Sequence, residues 1–404
     1  MKPSILFFVP EHYAALERKG VEKMVLERNE GGFFDRVVTI HPFCLETRLL
    51  ALNESIKIYE LGFDLIPGSE RLWLLRYLQY PTHFFRVIWK AIRLIKKNKV
   101  DLIRANDPYW MGLFGYICSR ICGIPFCVSI HADYDKVMAL DKDISISRVF
   151  GSYRLAKQLE VFILSKAAMI MPISIMFGEK AARNGANRNK IHVCPHGMDM
   201  AYFDQPPRHD VRSEFHINPK IKIISVISRL SPENYTDDVT EIARRLGKRR
   251  KDFIIVIAGG GKNKTKPLYE KKLEKEISSD PFLADHVALI GFREREFCID
   301  LRRSSAVSLV LMSGFSLIEA CMAGNPIVAY DVGFNSELVI NEETGFLVNE
   351  NDIDGAVNAL DWLLEHPAEG TEIGQKAKKK AFNRHELKRS STVKVECYSK
   401  LLSQ

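Results

Sequence analysis

The sequence predicts an α/β protein built from two doubly wound, Rossmann-like domains. Short runs of β-branched and aliphatic residues alternate with helical patterns from one end of the chain to the other. Most of these runs are continuously apolar, as in SILFFVP and FIIVIAGGG, which is typical of parallel strands buried on both faces. Strands that alternate with helices form parallel sheets through right-handed crossovers. A chain of 404 residues has the length of two such domains.

The candidate strands fall into two groups along the chain. In the first half they are SILFFVP, RVVTIHP, VDLIRAND, PFCVSIH and AAMIMPIS, and in the second half KIISVISRL, FIIVIAGGG, HVALIGF, AVSLVLM and NPIVAYD. Between the groups, DQPPRHD at 204–210 places two prolines in a polar stretch, which is typical of a boundary. We therefore predict an N-terminal domain at 1–205 and a C-terminal domain at 206–380. The remaining 381–404 is predicted to be a helix that packs back on the N-terminal domain.

Composition narrows the class of protein. The hydrophobic content of 46% and charged content of 27% are those of a soluble globular chain. No uncharged apolar run reaches the roughly 18 residues that a transmembrane helix needs, and the apolar run near the N-terminus is too short for a signal peptide. We expect a cytoplasmic protein. The net charge of +8 suits a phosphorylated small molecule or a membrane surface. No nucleic-acid partner is expected, because zinc-finger, RRM and basic-zipper patterns are missing.

Metal binding is not expected either. Among the eight cysteines, Cys118 and Cys122 are close enough to share a helical face, but no further ligands stand at zinc spacing. Buried free thiols are the simpler interpretation. Asp141 and Asp143 form a D-x-D pattern within a polar linker rather than at a strand end.

Unusual residues follow four of the candidate strands in the second half. Arg229 follows the first strand in ISRLSPEN, and IAGGGKNK brings three glycines with Lys262 and Lys264 after the next. LIGFRE supplies Gly291 and Phe292, and LMSGFSLIEA turns into a helix. Doubly wound sheets bind their ligands at the carboxyl ends of the strands. These residues are therefore the candidates for a binding site.

The turn at SGFSLIEA has the features of a phosphate site. A phosphate there would meet the N–H groups of Phe315, Ser316 and Leu317 at the positive end of the helix dipole. Arg229 can neutralise the same charge with two parallel hydrogen bonds. Glu319 lies about one turn further in, where a carboxylate can accept hydrogen bonds from the vicinal hydroxyls of a ribose. Singly, Arg229 can be a surface residue and Glu319 a complement to the dipole; together they favour a nucleotide-sugar site.

The sequence resembles the GT-B glycosyltransferases of family 4, which move a sugar from a nucleotide donor with retention of configuration. The resemblance is carried by CPHGMDMAYF, by ISRLSPEN and above all by EACMAGNPIVAYDVGFNSELVINEETGFLV. In the first half it is carried by RANDPYWMGLFGY and VSIHADYD. It implies two Rossmann-like domains facing across a cleft, and a hexosyl transfer from a nucleotide sugar to a glycan or lipid-linked acceptor. No cofactor is implied, because the leaving diphosphate is stabilised electrostatically.

The resemblance also assigns roles to individual residues. Arg229 would bind the donor diphosphate and Glu319 the ribose, and His131 would face the donor sugar as a catalytic residue together with Arg229. For His131, a hydrogen-bonded imidazole at a strand end is the structural alternative. The other donor-side residues that the resemblance indicates are Gly291, Phe292, Gly314, Phe315, Ser316 and Leu317. The acceptor-side residues that it indicates are Lys19, Gly20 and Asp107.

The sequence departs from the family pattern at three places. The first glutamate of the family's pair would fall at Leu311, or at Ser313 if the loop is shortened, and Asn234 replaces the lysine that follows the arginine. PEHYAALERKG replaces the Gly-Gly acceptor loop. Lys262, Lys264 or Arg293 can substitute for the lost positive charge. These departures leave two alternatives open: a nucleotide-sugar-binding protein without turnover, and a sugar-nucleotide epimerase of the same fold.

The segment ERLWLLRYLQYPTHFFRVIWKAIRLIKK at 70–97 interleaves aromatic and basic residues. Its second part is also typical of a helix packed on a parallel sheet. The aromatic residues Trp73, Tyr77, Phe84 and Phe85 lie near Arg71, Arg76 and Arg86. Such a segment can lie in a membrane interface beside a lipid-linked acceptor, so it predicts peripheral membrane contact at the inner face of the membrane.

Overall fold

The chain divides into two compact units in a computed structural model that describes residues 2–18, 23–62, 73–136, 152–260 and 268–403. The first unit is Met1–His196 together with Ser390–Gln404, and the second is Gly197–Arg389. Each unit contains a sheet covered by helices, so the prediction of two Rossmann-like domains is confirmed.

The sheet of the N-terminal unit has the order β3-β4-β2-β1-β5-β6-β7. Its strands are β1 Ser4–Phe8, β2 Arg36–Cys44, β3 Arg48–Ala51, β4 Ile56–Gly62, β5 Leu102–Ala105, β6 Phe126–Ile130 and β7 Met169–Pro172. All neighbours are parallel except β3 and β4, which form an antiparallel pair. Every residue of β1, β5, β6 and β7 is buried, which is why these strands are mainly apolar in sequence, with the buried Arg104 of β5 their one charged residue.

The sheet of the C-terminal unit is parallel throughout and has the order β10-β9-β8-β11-β12-β13. Its strands are β8 Lys222–Ile227, β9 Phe253–Ala258, β10 Val287–Gly291, β11 Val307–Val310, β12 Ile327–Tyr330 and β13 Phe346–Val348. The predicted strands of this half all appear as β8 to β12. The short edge strand β13 was not predicted, nor were β3 and β4, because their runs are short or alternate in burial.

The helices cover the sheets and carry the connections between parallel strands. Those of the first part are α1 Tyr13–Arg18, α2 Lys23–Leu26, α3 Trp73–Asn98, α4 Trp110–Cys122, α5 Tyr153–Lys166 and α6 Ile175–Arg183. Those of the second part are α7 Ala201–Asp204, α8 Val211–Glu214, α9 Thr236–Leu246, α10 Leu268–Ser279, α11 Pro281–His286, α12 Arg295–Ser304, α13 Phe315–Ala323, α14 Asn335–Leu338, α15 Ile353–Glu365, α16 Pro367–His385 and α17 Leu387–Leu402. Among these described helices none is long and apolar enough to cross a membrane.

The last helix, α17, contributes to the core of the N-terminal unit. Cys397, Tyr398 and Leu401 of α17 are buried in the same apolar cluster as Ile5 and Phe7 of β1. Arg104 of β5 donates a hydrogen bond to the Tyr398 hydroxyl. The chain thus leaves the N-terminal unit after His196 and returns to it at Ser390.

Candidate active site

The sheet order of the C-terminal unit brings two of the predicted segments side by side. The chain runs outward from β8 through β9 to β10 and then returns to β11, which pairs with β8 on its other side. The carboxyl ends of β8 and β11 therefore form the point where the strand order reverses, and doubly wound sheets bind ligands there. Arg229 follows β8, and Gly314 follows β11.

A hydrogen bond joins the helix after β11 to the end of β8. The Ser316 hydroxyl, in the first turn of α13, donates to the carbonyl of Ile227 over 2.6 Å. Ile227 is the last residue of β8, two positions before Arg229. This bond places the start of α13 next to the loop that carries the predicted phosphate arginine.

Gly314 occupies the N-cap position of α13 with a φ of 154°. Side chains rarely adopt that backbone conformation, whereas glycine does so without strain. The space where a Cβ would lie is open, with no other atom within 4 Å. The glycine is therefore required by its backbone angle, and it leaves room in front of the helix. No side chain caps the first turn of α13, while the N–H of Leu317 donates to the Gly314 carbonyl over 3.2 Å.

Glu319, predicted to bind ribose, is held between two arginines of α12. Its Oε1 accepts from Nε of Arg295 at 3.0 Å, and its Oε2 accepts from Nη1 of Arg302 at 2.9 Å. A carboxylate has about four acceptor sites, so two of them remain after these bonds. The carboxylate is 15% exposed and stays accessible at one side.

Arg302 is a residue of the candidate site that the sequence analysis missed. Its side chain is 1% exposed, and its Nη2 donates to the carbonyl and the hydroxyl of Ser316 at 3.2 and 3.0 Å. A signal was present in the sequence: Arg295 and Arg302 are seven residues apart, two helical turns, on the face that also carries buried Cys298. Arginines that share a buried face need an acidic partner.

The loops after β8, β9 and β10 are tied together by backbone hydrogen bonds. Ser228 N donates to Ala258 O at 3.2 Å, and Gly259 N donates to Gly291 O at 3.0 Å. Gly291 has a φ of 72° and, like Gly314, open space beside it. Phe292 follows it and is partly buried. The predicted donor-side residues of this unit therefore lie along one edge of one sheet.

Arg229 is exposed and forms no hydrogen bond or ion pair with any other residue that the structure describes. The arginines of α12, in contrast, are engaged with Glu319. Arg229 is thus a cation at the switch point whose guanidinium remains available to an anion from solution.

The positions that depart from the family pattern have structural roles of their own. Leu311 is 4% exposed and belongs to the apolar core of this unit. Ser313 packs against Gly333, where a Cβ would come within 1.9 Å of the serine hydroxyl. Asn234 donates to the Ser231 hydroxyl at 2.6 Å. Arg293 lies over the rings of Phe215 and Phe297, with centroid distances of 5.3 and 5.1 Å.

In the N-terminal unit the strand order reverses between β1 and β5. Asp107 follows β5, and its Oδ1 accepts from the backbone N–H groups of Tyr109 at 2.8 Å and Met111 at 3.2 Å. Burial raises the pKa of the Asp107 carboxyl to about 6, although these two hydrogen bonds act in the opposite direction. The carboxyl therefore stabilises the turn into α4, and its role on the acceptor side stays a prediction.

His131 follows β6, the strand next to β5. Its ring stacks on His196 with a centroid distance of 5.3 Å and an angle of 17°. Its Nε2 is buried and has no hydrogen-bond partner among the described residues. Burial, with the positive charge of Arg104 nearby, lowers the pKa of His131 to about 3, so the imidazole is neutral near pH 7. The structural alternative for His131 was an imidazole held by hydrogen bonds at the strand end. Among the described residues, no such hydrogen bond is made to Nε2.

A second buried histidine lies at the same edge. His41 of β2 is 0% exposed, and its Nδ1 is bonded to the Glu11 carbonyl. Burial, followed by the charge of Arg28, lowers the pKa of His41 to about 4. Nothing in the run RVVTIHP distinguished this histidine from an ordinary strand residue, so the sequence analysis did not single it out.

Several predicted residues lie outside the described part of the chain. These are Lys19, Gly20, Asp141, Asp143, Lys262, Lys264 and Arg71, and for Trp73, Arg76 and Tyr77 the side chains lie outside it. Within the described residues, no group of three or more His, Cys, Asp or Glu side chains is arranged to hold a metal ion.

Phe84 and Phe85 have different environments. The Phe84 ring packs on Phe114 and Trp110 of α4 with centroid distances of 5.2 and 5.9 Å. Phe85 is 67% exposed, and Trp89, one turn further along α3, is 56% exposed. Among the described side chains of α3, the exposed aromatic residues are therefore Phe85 and Trp89, whereas Phe84 is partly buried against α4.

Family models cover both units. The model for glycosyl transferases group 1 matches residues 207–380, and the model for Glycosyltransferase Family 4 matches residues 11–202. The chain is 25% identical over 298 residues to D-inositol 3-phosphate glycosyltransferase of Gordonia bronchialis. The matched region covers 69% of this chain and 61% of that protein. It is 26% identical over 277 residues to the UDP-Gal:α-D-GlcNAc-diphosphoundecaprenol α-1,3-galactosyltransferase of Escherichia coli, covering 66% and 67%.

A solved structure shares the whole architecture. Anabaena HepE, in complex with UDP, superposes with a TM-score of 0.72 at 17% identity, covering 99% of this chain and 100% of that one. At this identity the likeness shows the fold. Together with the two family models, it shows that the chain belongs to the GT-B-fold glycosyltransferases of family 4, the group 1 glycosyl transferases.

Proposed function

We propose that this protein transfers a hexosyl group from a nucleotide sugar, with retention of configuration, to a glycan or lipid-linked acceptor. The observation that carries the proposal is the arrangement at the switch point between β8 and β11. There the first turn of α13 is bonded to the end of β8 through Ser316, and Arg229 stands free beside it.

The donor diphosphate would lie at the start of α13. The dipole of the helix favours an anion there, and Arg229 supplies a full positive charge. Glu319, one turn further in, keeps acceptor capacity for the ribose hydroxyls beside its two arginines. HepE supports this arrangement as a protein of the same fold that was solved with UDP.

Transfer with retention requires no protein nucleophile in this arrangement. As the bond to the sugar breaks, negative charge develops on the leaving diphosphate, where Arg229 and the α13 dipole stabilise it. The acceptor hydroxyl attacks from the same face and passes its proton to the departing phosphate oxygen. His131, neutral near pH 7 and with an unpartnered Nε2, is suited to hydrogen-bond a sugar hydroxyl. We propose that no metal ion takes part.

A lipid-linked acceptor is favoured by the surface of the N-terminal unit. Phe85 and Trp89 are exposed on α3, and the Arg93 guanidinium lies 4.4 Å from the centroid of the Trp89 ring. Leu45 and Leu49 before and within β3 are also exposed, at 94% and 55%. The E. coli relative is named for a diphosphoundecaprenol acceptor. This face is suited to peripheral contact with an anionic membrane.

The test is to incubate the purified protein with UDP-, GDP-, ADP- and dTDP-sugars, with and without EDTA, and to measure free nucleoside diphosphate. Release that EDTA does not abolish, with the donor's anomeric configuration kept in the product, is the expected result. Binding without release in the presence of glycan and lipid-linked acceptors would identify a nucleotide-sugar-binding protein. Interconversion of the sugar while it stays on the nucleotide would identify an epimerase. Binding of none of these nucleotides would overturn the proposal.

A further inference from the structure

Arg302 contacts two parts of the proposed donor site from one buried guanidinium. Nη1 donates to the Glu319 carboxylate at 2.9 Å, and Nη2 donates to the carbonyl and hydroxyl of Ser316 at 3.2 and 3.0 Å. Ser316 and Glu319 are three residues apart on α13 and hence neighbours on one helical face. The planar fork of an arginine presents its donors to such a pair in a fixed geometry, whereas an ammonium on a flexible stem does not fix the two acceptors in this way.

The backbone of Arg302 is anchored to the other end of the same helix. Asn325, which follows the C-cap Gly324 of α13, donates its side-chain amide to the Arg302 carbonyl and, at 3.0 Å, to the Ser305 carbonyl. Asn325 is 7% exposed. Helix α12 is therefore connected to the first turn of α13 and to the segment just beyond its last turn. This leaves the Arg302 side chain little freedom to move relative to Ser316 and Glu319.

Like Arg302, Arg295 is hydrogen-bonded to Glu319, but it is not hydrogen-bonded to Ser316. Its Nε donates to Oε1 of Glu319 at 3.0 Å, and its guanidinium lies 4.6 Å from the centroid of the Tyr202 ring. It is 31% exposed, against 1% for Arg302. Arg295 thus orients the carboxylate alone, whereas Arg302 links the carboxylate to the turn that would hold phosphate.

We infer that Arg302 is a positioning residue that fixes the phosphate-binding turn and the ribose-binding carboxylate in a single arrangement. The inference rests on the proposed donor site and adds to it the residue that couples its two halves. Arg302 itself need not touch the nucleotide. Without the Arg302 guanidinium, Ser316 and Glu319 would each keep their other hydrogen bonds but would no longer be fixed relative to one another. Phosphate and ribose would then no longer be bound with the same geometry.

The test compares Arg302→Lys with Arg303→Lys, a matched change at the next position of α12. Arg303 bonds to Asp300 and to the Phe203 carbonyl, and within the described part of the chain it forms no hydrogen bond or ion pair with α13. Calorimetry measures the affinity for the nucleoside diphosphate that the wild type binds most tightly, and for its 2′,3′-dideoxy analogue. For Arg302→Lys we expect affinity to fall on the order of 10- to 100-fold, and the preference for the ribose form to shrink. Arg303→Lys should change neither.

Arg295→Lys separates the two halves of the site. Because Arg295 contacts only the carboxylate, this change should reduce the ribose preference while affinity for inorganic pyrophosphate stays as in the wild type. Arg302→Lys should weaken both. A folded Arg302→Lys protein with wild-type affinity and wild-type ribose preference would overturn the inference.

A neutral pair covers the case in which Arg302→Lys does not fold. Removing both charges in Arg302→Gln/Glu319→Gln leaves no unpaired buried ion, since the remaining partner Arg295 is partly exposed, and this variant is compared with Glu319→Gln alone. Further weakening in the double variant is expected from the lost bonds to Ser316, and equal affinities would contradict the inference. A wild-type protein that binds no nucleoside diphosphate would instead overturn the proposed function itself. The two failures are therefore distinguishable.

Discussion

Ser316 donates its hydroxyl hydrogen to the Ile227 carbonyl over 2.6 Å, and this bond connects two segments that are 89 residues apart in the chain. Ile227 ends β8, and Ser316 lies in the first turn of α13, so the bond closes the switch point of the C-terminal sheet. The same hydroxyl accepts from Arg302. A single small side chain thus connects a strand end, a helix start and a buried cation.

Replacing Ser316 with Ala should lower the free energy of unfolding by about 1–3 kcal/mol, because the hydroxyl's two hydrogen bonds, to the Ile227 carbonyl and from Arg302, are both lost. Ser304→Ala is the control, since that hydroxyl bonds only to the Asp300 carbonyl within α12. Urea titration measures both. Nucleotide affinity should fall for Ser316→Ala alone, and equal affinity in the two variants would argue against a site at the start of α13.

Replacing Arg229 with Ala should lower kcat/KM by roughly two orders of magnitude, because the developing charge of the leaving group loses its cation. Arg229→Lys should restore activity only in part, since the fork is lost. Stability should hardly change, because Arg229 is exposed and forms no ion pair with another described residue. A fully active Lys variant would show that another cation stabilises the diphosphate.

Glu319→Gln should weaken nucleoside diphosphate binding by about 1.5–3 kcal/mol, the range for hydrogen bonds to a charged group. Gln is preferred to Ala here, because both changes remove the counter-charge of the buried Arg302 but the Gln amide oxygen can still accept its hydrogen bond. Isothermal titration calorimetry gives the affinity. An affinity equal to that of the wild type would exclude Glu319 from the ribose site.

Acidification should destabilise the fold through its buried histidines. The folded-state pKa values of His41 and His131, about 4 and about 3, lie below the unfolded value of 6.5. Between those values and 6.5 the unfolded chain binds more protons, so stability falls as the pH decreases through this window. Asp107, with a raised pKa of about 6, acts in the opposite direction.

The variant His41→Asn measures how much His41 contributes to this pH dependence. The amide of the introduced Asn can replace Nδ1 as the donor to the Glu11 carbonyl. Each histidine should contribute about 2 kcal/mol of the stability lost between pH 7 and pH 5, from the difference in bound protons. Urea midpoints of wild type and His41→Asn at the two pH values measure the difference. Identical pH dependence in both proteins would mean that the pKa of His41 is the same in the folded and unfolded states.

Membrane contact should depend on Phe85 and Trp89. The double change to Ala should reduce sedimentation with anionic vesicles at low salt, because apolar burial and attraction to the lipid charge act together. Binding should weaken with rising ionic strength and be absent with neutral vesicles. Phe382→Ala, at another exposed aromatic, is the control. Failure of the wild type to sediment with anionic vesicles at low salt would refute the contact.

The sequence alone determined the local features of this protein. Continuous apolar runs predicted parallel strands, because a strand covered on both faces cannot carry alternating polar residues. The Ser-Gly-Phe turn before a helical pattern predicted an exposed helix start, since glycine permits the backbone angle that Gly314 adopts. The family signature pointed to the same turn and to Arg229.

The tertiary structure decided which of these features meet. Sheet order is set by long-range pairing, so only the fold shows that β8 and β11 are neighbours and that Ser316 reaches Ile227. Helical periodicity predicts a buried face but not what lies opposite, which is why the pairing of Arg302 with Glu319 escaped the sequence analysis. Likewise, adjacent Phe84 and Phe85 are equivalent in sequence, and packing against α4 partly buries the first and leaves the second exposed.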